Sequence, residues 1–153
     1  MIRDTQKTET DMAALAELSP VNILARTLYG EARGEDLTGI EAVACVIMNR
    51  VTVAKRRGGY WWGNDVVAVC LKAGQFSCWN RGDPNREKLL RVNERDLAYR
   101  LCRRVASRAI SARLPDITHG ATHYHTLQCD PWWAHGHVPV CEIGNHVFYD
   151  DIG

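Results

Sequence analysis

Residues 28–43 read LYGEARGEDLTGIEAV and lie between two apolar segments of the chain. Four charged residues stand beside two glycines at this junction. The charged residues are Glu31, Arg33, Glu35 and Asp36, and the glycines are Gly30 and Gly34. A solvated turn between two helices has this composition, because charge and glycine both favour loops. A loop that holds an acidic side chain at the mouth of a cleft has the same composition. The junction therefore predicts a turn between two helices, with Glu31 as the candidate acid.

The segments that flank the junction have helical periodicity. Residues 21–29 place apolar side chains on one helical face, and we expect Gly30 to end this helix. Glu31 would then stand at the helix exit. Thr38 and Glu41 have the spacing of a capping box, which predicts that a second helix begins there.

Further helix starts follow along the chain. Asn64 or Asp65 is expected to cap a short helix that runs through Leu71. Asp83–Pro84 is a start signal, because proline is favoured at the first helical position. From Asn93 onward, apolar residues recur every four positions, which predicts the longest helix of the chain.

The texture of the sequence changes after residue 115. Three short segments, HGATHYHT, HVPVCEI and HVFYDDI, are rich in histidine, aromatic and β-branched residues and are separated by turn-forming residues. They predict a small sheet. We therefore expect an α+β fold, mainly a helical body with a small β region, in one domain over residues 20–153. Residues 1–19 are polar and predict a flexible N-terminal arm.

Composition narrows the class of protein. Lysine and arginine number 19 against 18 aspartates and glutamates, a formal net charge of +1. A generic nucleic-acid binder depends on a large positive field, so no nucleic-acid partner is expected. No apolar run reaches the roughly 18 to 20 residues that span a bilayer, so membrane insertion is not expected. The polar start lacks the apolar region of an export signal, which predicts synthesis in the cytoplasm.

The six cysteines show no metal or redox pattern, because no C-x-x-C pair occurs. Cys45 and Cys102 fall on apolar helical faces, where a free cysteine packs as a small hydrophobe. Two short loops would be closed by disulfides in an oxidising compartment, Cys70–Cys78 and Cys129–Cys141, but spacing does not fix the pairing.

Two kinds of chemistry compete for Glu31. Burial disfavours the charged form of a carboxyl group, so a partly buried glutamate can keep its proton and give it to a glycosidic oxygen. The rival is a zinc site with Glu31 as base, built from the histidines His119, His123, His125, His135, His137 and His146. Their spacing is not that of a metal motif, so we favour structural or substrate-orienting roles for them.

The five tryptophans also admit two interpretations. Tryptophan buries a large area wherever it lies, so all five fit a core or its rim. Several stand among glycines, prolines and polar residues, where flat rings can stack on sugars. They are Trp61, Trp62, Trp79, Trp132 and Trp133.

Several motifs, in order, resemble the SleB/CwlJ family of bacterial cell-wall hydrolases. The resemblance begins with LARTLYGEARGEDLTGIEAVACVIMNRV at 24–51 and GQFSCW at 74–79. It continues with LPDITHGATHYHT at 114–126, PWWA at 131–134 and IGNHVFY at 143–149. Together these motifs cover the chain from about Asn22 to Tyr149.

The resemblance implies a lysozyme-like or lytic-transglycosylase-like fold in which Glu31 is catalytic. Its substrate would be the glycan strands of peptidoglycan, cut between N-acetylmuramic acid and N-acetylglucosamine. In the lytic reaction one carboxylate acts first as acid and then as base, so neither a cofactor nor a metal is expected. Motif positions imply substrate-binding roles for Gln75, Phe76, Thr122, His123, Tyr124, Trp132, Asn145, His146 and Tyr149. We expect a monomer.

The chain also departs from the family pattern. It carries a basic insertion with the letters YWW, and we see neither a wall-binding repeat nor a signal peptide. These departures favour an endolysin-like enzyme of bacterial wall lysis that reaches the wall through a separate pore. The alternative is a metal-dependent N-acetylmuramoyl-L-alanine amidase, and a third hypothesis is a glycan-binding module without activity.

Overall fold

A computed structural model describes residues 18–152 of the chain. The predicted arm at 1–19 therefore lies almost entirely outside the described residues. In the described range there are five α-helices, α1 Pro20–Ala32, α2 Leu37–Arg56, α3 Val66–Leu71, α4 Pro84–Arg91 and α5 Leu97–Ile110. Two 3-10 helices, η1 Ser77–Trp79 and η2 Trp132–Ala134, accompany three strands, β1 His123–Thr126, β2 Cys141–Ile143 and β3 His146–Tyr149.

Helix α1 is the centre of the helical body, because it packs against each of the other four α-helices. Its side chains Ile23, Leu24 and Leu28 are fully buried, and Val105 of α5 is buried against the same cluster. Full burial of one such side chain stabilises a fold by about 1.5–3 kcal/mol. The periodic apolar face of residues 21–29 thus determines the position of α1, and with it the position of the residues in its last turn.

Helix α2 lies between the helical body and the sheet. Val43 and Ile47 belong to the helical core, whereas Ala42 and Val46 pack against Phe148 of β3. By length and composition this 20-residue helix would suffice to cross a membrane, but 61% of its most apolar window is buried inside the fold. Its hydrophobicity is therefore accounted for by contacts on two faces.

The sheet is antiparallel, with β3 between β1 and β2. Tyr124 of β1 and Cys141 of β2 are both register partners of Phe148 on β3. Phe148 is fully buried, which fixes the inner face of the sheet. The predicted α+β fold, a helical body with a small β region, is confirmed.

Gly30 does not end α1, contrary to our prediction, because the helix continues through Ala32. A Cβ atom on Gly30 would lie 2.6 Å from Cys78 Cβ and 2.8 Å from Leu89 Cδ2. The glycine is explained by this close approach of η1 and α4. Glu31 consequently stands in the last turn of the helix, where its direction is fixed by helical geometry.

The predicted capping box at Thr38 is also wrong. Asp36 caps α2 by accepting a hydrogen bond from the Gly39 amide at 2.9 Å, and Glu41 instead pairs with Arg108 of α5 at 3.2 Å. Likewise Asp96, rather than Asn93, precedes the first residue of α5. That helix has 14 residues, so α2 and not α5 is the longest helix in the described range.

Other local predictions are confirmed. Asp65 caps α3 and Asp83 caps α4, each through its side-chain oxygen. Cys45 and Cys102 are buried, as expected of core residues. All six cysteines are free thiols, so neither of the two short disulfide loops forms in this structure.

Candidate active site

Glu31 meets the sheet through one hydrogen bond. The Tyr124 hydroxyl on β1 donates to Glu31 Oε2 at 3.2 Å, although 93 positions separate the two residues. Alternation along β1 turns Tyr124 toward the helical body and the two flanking histidines, His123 and His125, toward the opposite face. The contact therefore places the carboxyl group of α1 at the boundary between the helices and the sheet.

The second oxygen of Glu31 has no such partner. Oε1 is buried and accepts no hydrogen bond from any residue in the range 18–152. Cys78 lies nearby, since its thiol interacts with Glu31 and its Cβ limits the space beside Gly30. Burial, together with the charge of Glu31, raises the pKa of Cys78, so the thiol stays protonated and adds no negative charge here.

Tyr124 remains a hydrogen-bond donor at neutral pH. Burial raises its pKa well above 10, and the charge and hydrogen bond of Glu31 add to this effect. A protonated phenol can donate to the carboxylate throughout the neutral range. It therefore holds Oε2 in a fixed direction and leaves Oε1 as the oxygen without a donor.

His146 on β3 stands next to the same group of side chains. Its ring meets the Tyr124 ring edge-on at 5.0 Å, and its Nδ1 lies 3.4 Å from Glu35 Oε1 without the geometry of a hydrogen bond. Burial lowers the pKa of His146, while the negative charges of Glu35 and Glu31 act in the opposite direction. Glu35 itself packs against the turn between β2 and β3, where a Cβ on Gly144 would lie 2.7 Å from its Oε2.

Arg50 of α2 supplies the buried positive charge of the site. Its Nε donates to the Thr122 carbonyl at 2.7 Å, and its guanidinium lies over the rings of Trp62 and Phe76 at 5.3 and 5.5 Å. Burial lowers the pKa of Arg50 to about 10, so the group is charged at neutral pH. The residue therefore ties α2 to the start of β1 and to the loop before η1.

The opposite face of β1 carries a series of aromatic rings in tilted or edge-on contact. His123 lies between Trp62 and Trp133, with ring centroids 5.9 and 5.4 Å away. His125 also contacts Trp133, and its Nε2 lies 2.9 Å from the Tyr149 hydroxyl. Because the Thr126 carbonyl can only accept, His125 Nδ1 is the donor in the hydrogen bond between them.

Burial, together with the positive charge of Arg50, lowers the pKa of His123 to about 4. The ring is thus neutral at neutral pH. Its Nδ1 lies 2.9 Å from the Thr122 hydroxyl, which orients it between the two tryptophans. His123 therefore acts as an uncharged group in contact with two indole rings.

The remaining predicted binding residues differ in location. Gln75 donates its amide to the carbonyls of Val69 and Trp62 at 2.7 and 3.3 Å, so it braces a loop. Trp132 is 83% exposed on η2. Asn145 exchanges side-chain hydrogen bonds with Gln128 at 3.3 Å. The structure thus brings Tyr124 and His146 to Glu31, and it gives Trp132 and Asn145 no described contact with that carboxyl group.

Sequence reasoning did not single out three groups that surround Glu31. Glu35 is the second glutamate of the same motif, and a reaction that uses one carboxylate gives it no role. Arg50 had a detectable signal, since it is a charged residue within the apolar sequence of a core helix. Cys78 was considered only as a disulfide partner, and nothing local in the sequence relates it to Gly30.

The alternative of a metal site requires several ligating side chains close together. Among residues 18–152, no group of three or more His, Cys, Asp or Glu side chains is placed to hold a metal ion. His123 and His125 share a face, as their spacing predicts, but their neighbours are tryptophan and tyrosine rings. The described residues therefore provide no ligand set for an amidase-type zinc.

A partly buried carboxyl group that a tyrosine hydroxyl orients, with His146 beside it, can serve as a general acid and base. The family model described as Cell Wall Hydrolase matches residues 34–149. The chain belongs to the cell wall hydrolase family. No curated protein sequence matches it.

Two solved structures are similar to the chain over most of its length. The catalytic domain of the Bacillus cereus SleB protein has 26% identity and a TM-score of 0.65, covering 86% of this chain and 89% of that one. The catalytic domain of the germination-specific lytic transglycosylase SleB from Bacillus anthracis has 26% identity and the same TM-score of 0.65, covering 88% of this chain and 98% of that one. These findings confirm the resemblance inferred from the sequence motifs.

Proposed function

We propose that this cell wall hydrolase cuts the N-acetylmuramic acid–N-acetylglucosamine bond of peptidoglycan as a lytic transglycosylase, with Glu31 as its single catalytic carboxyl group. The observation that carries the proposal is the unequal environment of the two Glu31 oxygens. Oε2 is held by Tyr124, whereas Oε1 is buried without a donor in the described part of the chain. Oε1, the oxygen that the Tyr124 hydroxyl does not hold, is the one we assign to proton transfer with the bridging oxygen.

The steps follow from proton balance. Glu31 gives its proton to the bridging oxygen as the bond to muramoyl C1 breaks. The C6 hydroxyl of the same sugar then attacks C1 and passes its proton to Glu31, which restores the acid and leaves a 1,6-anhydro end. One carboxyl group serves both steps.

The position of Glu35 supports the use of one carboxyl group. A retaining hydrolase needs a second carboxyl group as nucleophile about 5–5.5 Å from the first, on the reacting side of the sugar. The Glu35 carboxyl group instead faces His146 and the Gly144 turn, with Oε1 3.4 Å from His146 Nδ1. Its role in the proposal is electrostatic.

Exposed rings offer places for a glycan strand. Trp61 is 59% exposed, and its ring centroid lies 5.8 Å from that of Trp62. A row of ring contacts leads from Trp62 through His123 to Trp133. Flat aromatic faces stack on the apolar faces of sugar rings. We infer that sugars of the strand contact the exposed rings of Trp61 and of Trp132, which neighbours Trp133 in the sequence.

The products test the proposed reaction. Purified peptidoglycan is digested with the enzyme, and the muropeptides are separated and weighed by mass spectrometry. We expect anhydro-muropeptides, with yields that are unchanged by chelators. Hydrated reducing ends would contradict the transglycosylase reaction, and free peptide stems that disappear with a chelator would support the amidase instead.

The proposed biological role of the enzyme is lysis of the bacterial wall. An endolysin-like function in wall lysis, passage through a separate pore, a monomeric state and the lack of nucleic-acid binding or membrane insertion stay predictions. Expression of the chain in a bacterial host with and without a pore-forming protein tests the first two. Lysis that requires the pore would support them, and lysis without it would contradict the proposed route.

A further inference from the structure

A small recess next to η1 is lined by three cationic residues. It has a volume of about 190 Å³ and lies between the end of α3 and the start of α4. The described residues that line it include no carboxylate, and they are Leu71, Lys72, Ala73, Gly74, Trp79, Asn80, Arg81 and Arg86. This recess is separate from the contacts of Glu31 described above.

Arg86 is the unusual member of this lining. It is only 9% exposed, and its Nε is buried without a hydrogen-bond partner in the described part of the chain. No ion pair to its guanidinium is found among those residues either. Other arginines of the interior find acceptors, as Arg26 does on Asn22, Arg33 on Asn85 and Arg50 on Thr122.

A guanidinium whose Nε is buried without an acceptor among the described residues calls for an explanation. Arginine keeps its charge at all ordinary pH values, so burial cannot be offset by loss of the proton. Burial of a charge is costly unless a counter-charge and hydrogen bonds accompany it. The planar group matches an oxyanion, which can accept two parallel N–H bonds.

We propose that the recess binds a single oxyanion through Arg86, with Lys72 and Arg81 contributing positive charge at its rim. The apolar part of the lining, Leu71, Ala73 and Trp79, leaves no competing acceptor side chain on that wall. The recess has the volume of several water molecules at about 30 Å³ each. This space is sufficient for a carboxylate or phosphate group with part of its hydration shell.

The place of the recess indicates the source of the oxyanion. Trp79 lines it, and the preceding residue, Cys78, packs beside Gly30 and Glu31. Two consecutive residues of η1 therefore contact the recess and the neighbourhood of Glu31. Peptide stems on muramic acid carry free carboxylates, and we assign one of these to the recess; this assignment rests on the proposed function.

Nuclear magnetic resonance of the full chain tests the site itself. Inorganic phosphate and, separately, acetate are added at constant ionic strength while the Arg86 Nε–Hε signal is followed. We expect a saturable shift of that signal. Arg86→Gln should weaken phosphate binding about tenfold to a hundredfold, the scale of a hydrogen bond to a charged group. Arg91→Gln is the matched control, because Arg91 lies on the same helix, is exposed and pairs with Glu87.

Thermal unfolding separates a binding role from a structural one. In chloride buffer Arg86→Gln should keep or gain melting temperature, because an unpaired buried charge is removed. Phosphate should raise the melting temperature of the wild type and of Arg91→Gln but not of Arg86→Gln. The absence of any phosphate-dependent shift in the wild type, or an equal shift in Arg86→Gln, would overturn the proposal.

The source of the oxyanion is tested with two sugar ligands on the Glu31→Gln protein, which removes turnover from the measurement. A disaccharide that carries its peptide stem should move the Arg86 signal, and the same disaccharide without the stem should not. Equal responses to both would contradict the assignment to a stem carboxylate. Failure of the proposed function is distinguishable, because it would appear in wild-type digests and leave the phosphate titration unchanged.

Discussion

The Tyr124 hydroxyl and the Glu31 carboxylate join the sheet to the central helix through a bond of 3.2 Å. We expect Tyr124→Phe to lower kcat at least about tenfold, because a hydrogen bond to a charged group contributes roughly 1.5–3 kcal/mol and this bond fixes the direction of the acid. Turnover of soluble glycan strands measures the effect. An unchanged kcat in a folded Tyr124→Phe protein would show that Glu31 needs no such support.

Gly30 keeps α1 close to η1 and α4. Gly30→Ala should destabilise the protein by roughly 1–3 kcal/mol, because the new methyl group overlaps Cys78 and Leu89. Urea unfolding measures the loss. Gly34→Ala is the matched control, since nothing lies within 4 Å of a Cβ at that position. Equal stabilities of the two variants would show that the contact relaxes without cost.

The predicted caps of α3 and α4 were accurate because their cause is local. Asp65 and Asp83 each accept a hydrogen bond from an amide two or three residues later, so a short stretch of letters contains the whole interaction. The purpose of Gly30 was mistaken because its reason lies at Cys78 and Leu89, far along the chain. The sequence alone does not distinguish a glycine that ends a helix from one that allows a neighbouring element to pack closely.

The site could be predicted only in part for the same reason. The motif around Glu31 indicated this residue as the candidate acid, and the strand pattern predicted that His123 and His125 share a face. The pairing of Tyr124 with Phe148 decides which face that is, and register between strands is a tertiary property. The approach of Arg50 to Thr122, 72 positions away, depends on how α2 packs and has no local signature.

The neutral state of His123 predicts a dependence of stability on pH. Its pKa in the folded protein is about 4, against 6.5 as the ordinary value, so the unfolded chain binds more protons between these limits. Stability should therefore fall as the pH is lowered from about 6.5 to about 4. The lowered pKa of His146 acts in the same direction.

Unfolding by urea at several pH values in that window, for the wild type and His123→Gln, measures this contribution. The variant should lose less stability on acidification than the wild type does. The exposed His137 provides the control, as His137→Gln should follow the wild type. Parallel curves for all three proteins would contradict a buried, neutral His123.

Glu35 and His146 form an electrostatic pair beside the acid. The charge of Glu35 raises the pKa of His146, against the larger effect of burial, so Glu35→Gln should lower that pKa further. The proton signals of the His146 ring, followed by nuclear magnetic resonance during a pH titration, report the change. Glu41→Gln serves as control, because Glu41 pairs with Arg108. A His146 titration that is the same in both variants would refute the coupling.

The most direct measurement of the central claim is the rate of peptidoglycan digestion by Glu31→Gln, compared with Glu87→Gln. Glu87 is an exposed residue of α4 that pairs with Arg91, so its variant controls for loss of a charge. We predict that the digestion rate of Glu31→Gln falls at least about 100-fold, the scale of a lost general acid and base. Its circular dichroism spectrum should match that of the wild type, and no anhydro-muropeptides should form. Digestion by a folded Glu31→Gln protein at the rate of Glu87→Gln, with the same products, would contradict the account.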